Sequence, residues 1–203
     1  MRDPTLLPDL IRLSAERSPD LPAITHGKET VHYSELHDAV ADFAGGLMNL
    51  GLQRGERVAI YLEKRFETVI ASFGAPAAGG VFVPLNPLLK PEQVGYIMRD
   101  CNVRVLVTSP ERLALLADTL KQCHDLRHVV VLDSAEPLPA NGPVSYSSWS
   151  ELLATPQKRG HRVIDTDVVG ILYTSGSTGK PKGVVLSHRN MVAGAKSVAS
   201  YLE

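Results

Sequence analysis

The sequence predicts an α/β fold, a largely parallel sheet flanked by helices. Short apolar runs alternate with stretches of helical spacing along the chain. The runs RVAIYL, VRVLVT and HVVVL are apolar at most positions, as strands buried on both faces must be. Helix-length segments separate them, as parallel strands require.

Each element follows from local pattern. Residues 6–16 (LLPDLIRLSAE) have helical spacing, and residues 22–33 (PAITHGKETVHY) read as two short strands around the turn HGKE. Ser34 is placed to cap a helix through Leu50, because Leu36, Val40, Phe43, Leu47 and Leu50 recur at helical intervals. Gly51 supplies its stop. Gly45 and Gly46 each cost that helix about 1 kcal/mol. They suggest close packing against a neighbour, with a weak helix as the alternative. Next come a strand (57–62), a helix (66–79), a strand (81–85), a helix opened by Pro91 and running toward Asp100, a strand (103–108), a helix (111–123) and a strand (128–132). Residues 133–143 are polar, proline-rich and loop-like, and YSSWSELLA (146–154) reads as a short helix. A boundary is expected between 133 and 167. Residues 1–150 then form an N-terminal α/β subdomain, and residues 151–203 form a linker plus the start of a second subdomain.

Composition narrows the function. The 203 residues are 44% hydrophobic and 21% charged, which fits a soluble globular chain with a real core. The net charge of −1 gives no bulk attraction to nucleic acid or an anionic membrane. No apolar run approaches the length of a membrane span, and the N-terminus lacks the apolar core of a signal peptide. Cys101 and Cys123 have no CxxC spacing and predict two buried or half-buried thiols in a cytoplasmic protein. His124 and His128 could share a helical face, but no carboxylate or cysteine cluster joins them, so a polar connection is the plainer reading. The basic run QKRGHR (157–162) has no interleaved aromatic residue and reads as a solvated linker.

The chemistry concentrates in TSGSTGKPKG (174–183), between the buried strand VVGILY (168–173) and the returning strand GVVLS. Ser187 then caps a helix whose apolar positions are Met191, Val192, Ala195, Val198, Ala199 and Leu202. The glycines allow close backbone approach, and free amides, hydroxyls and two lysines can meet several phosphate oxygens. This is neither GxxxxGK[ST] nor GxGxxG: Thr174 stands where the first needs Gly, and Pro181 where it needs Ser or Thr. A flexible surface hairpin with incidental lysines is the plain alternative.

YTSGSTGKPKG closely resembles the phosphate-binding signature of the adenylate-forming (AMP-dependent synthetase and ligase) superfamily. VHYSEL (31–36), GLQRGERVAIYL and AAGGVFVPLNP (77–87) resemble further elements of that family. The resemblance runs from about residue 6 to the end of the chain. PLNPLLKPEQVGYIMRDCNVRVLVTS and the stretch from His161 onward also resemble the AMP-forming acyl-CoA ligases associated with exosortase systems.

The resemblance implies an acyl-CoA synthetase-like reaction. A carboxylic acid is activated by ATP to an acyl-adenylate, and the acyl group passes to a thiol of coenzyme A or a carrier-protein phosphopantetheine. It implies that Thr174, Ser175, Gly176, Ser177, Thr178, Gly179, Lys180 and Lys182 line the β- and γ-phosphates, with Mg2+ as the phosphates' partner. It assigns no catalytic residue and no metal ligand within this chain. The family's adenine, ribose and acyl-pocket motifs have no counterpart here. The expectation is an N-terminal fragment of a larger enzyme, inactive alone and prone to self-association through its last strand pair and helix. An amino-acid adenylation fragment and a non-catalytic nucleotide- or partner-binding module are the alternatives.

Overall fold

The computed structural model describes residues 3–132, 138–139, 142–156, 158–175 and 180–202. The helices are α1 (Asp9–Arg17), α2 (Tyr33–Asn49), α3 (Phe66–Ala77), α4 (Pro91–Asp100), α5 (Pro110–Leu120), α6 (Trp149–Leu153) and α7 (His188–Leu202). The strands are β1 (Pro22–His26), β2 (Glu29–His32), β3 (Arg57–Tyr61), β4 (Val81–Pro84), β5 (Val103–Thr108), β6 (His128–Val131), β7 (Ser145–Ser148), β8 (Val168–Thr174) and β9 (Lys182–Ser187).

β1 and β2 form a small antiparallel hairpin. The other seven strands form one sheet in the order β7-β6-β5-β3-β4-β8-β9. All neighbours in it are parallel except β8 and β9, which pair antiparallel. The chain leaves β3 to one side for β4, then crosses to the other side for β5. The carboxyl ends of β3 and β5 therefore flank a topological switch point.

The central strands are covered on both faces, as predicted, whereas most of β9 is exposed. Val58 and Ile60 of β3 join a core with Phe43, Leu47, Ala71 and Leu152, under α1, α2, α3 and α6. Ala59 and Tyr61, alternate residues of the same strand, join a second core with Val94, Ile97, Met98 and Leu116, under α4 and α5. Gly46 of α2 marks close packing rather than a weak helix. A Cβ on Gly46 would lie 2.5 Å from Leu152 Cγ and 2.7 Å from its carbonyl oxygen, so α6 can approach only a bare backbone. Both cysteines are buried free thiols.

Three local readings are corrected. Ser34 does not cap α2. The helix begins two residues earlier, His32 is its N-cap, and the Glu35 carboxylate accepts the His32 amide at 2.8 Å. Ser34 Oγ instead donates to the Pro19 carbonyl at 3.1 Å. The stretch 146–154 is not all helix: Ser145–Ser148 is an edge strand paired with β6, and the helix follows it. Its SYSS sequence lacks any apolar alternation, because an edge strand is held by backbone bonds on one side only. Helix α5 stops at Leu120, three residues short of Cys123. Much of the predicted loop 133–143 lies outside the described residues. Among those described, no helix is long and apolar enough to cross a membrane.

Candidate functional site

The site is built by the hairpin of β8 and β9. β8 runs parallel to β4 with Gly170 opposite Phe82, so its Thr174 end reaches the carboxyl edge of the sheet. Gly170 permits this contact: a Cβ there would lie 2.7 Å from Phe82 Cε1. In the hairpin register Thr174 stands opposite Lys182 and Tyr173 opposite Gly183. Thr174, Ser175, Lys180 and Lys182 are exposed at this edge. Gly176, Ser177, Thr178 and Gly179 lie outside the described residues. A donor-rich segment with two ammonium groups is thus carried between two strands, not at a helix N-terminus.

Both ends of the hairpin are tied to the body. At the loop end the Tyr173 hydroxyl donates to Asp100 Oδ2 at 2.6 Å. Burial, the Asp100 contact and nearby Cys101 all push the phenol above its ordinary value. At the far end the Arg54 guanidinium donates to both oxygens of Asp167 at 2.7 Å, and the Ile164 amide adds a further bond at 3.0 Å. Arg54, then the Ile164 amide, hold the Asp167 carboxyl below its ordinary range.

The predicted start of α7 is observed. Ser187 Oγ accepts from the Asn190 amide at 3.2 Å, and the Ser187 amide donates to Asn190 Oδ1 at 3.0 Å. Next to it, His188 is 1% exposed, and its Nδ1 accepts the Leu7 amide at 3.0 Å. Burial pushes this imidazole below its ordinary value, although Asp167, Asp9 and Asp165 pull the other way. Arg189 closes the corner through Asp165 at 2.9 Å. Lysine content and glycine spacing pointed to 174–183 in advance. Asp100, Arg54 and His188 carried no such signal, because their partners are distant in sequence.

A second concavity of about 510 Å³ opens at the switch point between β3 and β5, lined by Glu63, Arg65, Ser109, Glu111, Arg112 and two leucines. Its charges are internally matched. Arg112 donates to Glu63 at 2.8 Å and lies over the Tyr61 ring, and Arg65 donates to Glu67 at 2.7 Å. His124 and His128 do not form a site: among the described residues no group of three His, Cys, Asp or Glu could hold a metal ion.

Residues 11–203 match the family model described as AMP-binding enzyme. Gramicidin S synthase 2 of Aneurinibacillus migulanus is 32% identical over 183 residues, which are 90% of this chain and 4% of the synthase. A long-chain-fatty-acid–CoA ligase of Thermus thermophilus is 33% identical over 160 residues, 79% of this chain and 28% of the ligase. Among solved structures, the anthranilate CoA ligase AuaEII in complex with anthranoyl-AMP superposes with a TM-score of 0.81 at 26% identity, over 92% of this chain and 36% of that one. The chain therefore spans at most 36% of the length of these three relatives.

Proposed function

The chain belongs to the AMP-binding enzyme family, and we propose that it carries the triphosphate-binding part of a ligase that activates a carboxylic acid with ATP. The carboxylate oxygen attacks the α-phosphorus, and the bond to the oxygen bridging to the β-phosphorus breaks. Acyl-adenylate and pyrophosphate result. A thiol, from coenzyme A or a carrier-protein phosphopantetheine, then displaces AMP to form a thioester.

The observation that carries this reading is the hairpin, which presents Thr174, Ser175, Lys180 and Lys182 together at the carboxyl edge of the sheet. In this proposal Gly176, Ser177, Thr178 and Gly179 complete the cradle for the β- and γ-phosphates. Lys180 offsets charge growing on the departing pyrophosphate, the electrostatic help on which phosphoryl-type chemistry depends. Lys182, fixed by its strand pairing opposite Thr174, adds a second positive charge. Mg2+ would accompany the phosphates and offset part of their charge. We further propose that the segment from residue 151 onward starts a second subdomain, with the acyl and adenine walls supplied by chain outside this sequence.

Two acceptor types are weighed, and the relatives include both a gramicidin S synthase and a long-chain-fatty-acid–CoA ligase. PLNP at residues 84–87 favours the acyl ligase over an amino-acid adenylation domain. The test is carboxylate-dependent ATP–pyrophosphate exchange, run on this chain and on its reading frame extended to the natural stop codon. Exchange in the extended protein and none in this chain alone is expected, and the acid that supports exchange names the substrate class. Absence of exchange in both, across a broad acid panel and with folded protein, would leave a non-catalytic binding module.

A further inference from the structure

Sheet pairing holds β8 only at its lower half. Its one ladder partner on β4 is Phe82 opposite Gly170. Above that point, residues 171–174 pair only with β9. The part of the hairpin that carries Thr174 and Lys182 is thus a two-stranded ribbon, and such ribbons are marginal in water unless anchored.

Ile171 and the Tyr173 ring rest on the core beneath α4 and α5, and Tyr173 adds a polar anchor. Across the ribbon it faces Gly183, where a Cβ would lie 3.1 Å from the phenol Cζ and 2.8 Å from Ile171 Cγ2. The ring therefore occupies the space over the β9 backbone that a side chain at 183 would take. Its hydroxyl reaches Asp100 at 2.6 Å. Asp100 is the last residue of α4, a helix end whose dipole disfavours a carboxylate. The carbonyls beyond that end are served by Arg57, which donates to Cys101 O and, at 2.6 Å, to Asn102 O. Helix capping does not explain an acid at position 100; the phenol does.

We propose that Tyr173 and Asp100 form a clasp that sets the position of the Thr174–Lys182 end of the hairpin for phosphate contact, with Tyr173 a positioning residue that does not itself touch ATP. The clasp rests on the reading of this hairpin as the triphosphate site. Tyr173→Phe keeps the ring and removes only the donor, while Asp100→Asn weakens the acceptor.

Two measurements test it. On this chain, amide hydrogen exchange of residues 171–174 and 182–185 is expected to quicken about tenfold or more in Tyr173→Phe, the factor for losing one hydrogen bond to a charged group, and by less in Asp100→Asn, which keeps a weaker acceptor. The double variant should lose no more than Tyr173→Phe alone, and β3 and β5 should be unaffected. In the extended reading frame, Tyr173→Phe is expected to raise the KM for ATP in pyrophosphate exchange about fivefold or more while leaving kcat within about twofold, since only binding geometry has changed. Unchanged exchange in the ribbon, or acceleration spread over the whole chain, would overturn the clasp. A loosened ribbon with an unchanged KM would overturn its role in phosphate contact. A parent protein with no pyrophosphate exchange would overturn the triphosphate reading, and ribbon exchange would still decide whether the clasp exists.

Discussion

Gly74→Ala and Gly194→Ala make the same chemical change inside two helices, and the structure predicts opposite signs. In an open helix interior the change adds about 0.5–1 kcal/mol, because alanine loses less backbone freedom on folding. Gly194 in α7 meets that condition, with nothing within 4 Å of an added Cβ. At Gly74 in α3 the same atom would stand 2.5 Å from Phe43 Cδ1, 3.3 Å from Phe43 Cβ and 3.2 Å from the Val40 carbonyl oxygen. Ordinary carbon contacts lie at about 3.5–4.0 Å, so the Phe43 ring must retreat by about 1 Å. It has nowhere to go: it is fully buried and stacks on Trp149 with ring centroids 4.9 Å apart. Overpacking of this kind costs about 1–3 kcal/mol. Less the helical gain of about 0.5–1 kcal/mol, Gly74→Ala should lose up to about 2.5 kcal/mol. Urea unfolding measures both variants, followed by far-ultraviolet ellipticity and by the fluorescence of Trp149, the chain's single tryptophan. Gly74→Ala should lower the midpoint, and Gly194→Ala should leave it unchanged or raise it. A Gly74→Ala protein as stable as Gly194→Ala would refute the close α2–α3 packing from which the sign was derived.

Stability should fall as pH drops below about 6.5, because His188 is held neutral in the fold and must charge when unfolded. Its folded pKa is lowered, so the unfolded chain binds the extra proton, and the maximal slope is about 1.4 kcal/mol per pH unit. His188→Asn, which keeps an acceptor for the Leu7 amide, should remove that part of the slope between pH 7 and 5; an unchanged slope would refute the assignment. In the extended reading frame, Lys180→Ala is expected to slow ATP–pyrophosphate exchange by about 100-fold or more, as removal of a charge-stabilising group does. Lys182→Ala should have a smaller effect, expressed mainly in the KM for ATP, and equal, negligible effects would remove both from the site. Cys101 and Cys123 are buried, and burial pushes both thiols up. An aromatic disulfide reagent should therefore titrate neither in the folded chain and both in denaturant; rapid native reaction would contradict the packing around α4 and α5.

What the sequence determined by itself is local. Period and length separated the buried strands from the helices: Pro91 opens α4 and Ser187 caps α7 as read, through contacts three residues apart. The loop 174–183 stood out in the sequence because glycines, hydroxyls and lysines concentrate there. The tertiary structure decided everything that depends on which distant surfaces meet. A polar stretch such as SYSS becomes a strand because β6 offers it a free edge, not because of its own pattern. The His32–Glu35 box capped α2 while Ser34 found the Pro19 carbonyl fifteen residues back. Asp100 reads in sequence as an ill-placed acid at a helix end, and it acquires a purpose only when Tyr173 arrives 73 residues later. The reason is physical. Propensities and caps act within a turn of chain, whereas the worth of a hydrogen bond or a glycine contact between remote elements depends on distances of a few ångströms that exist only after the sheet has set them.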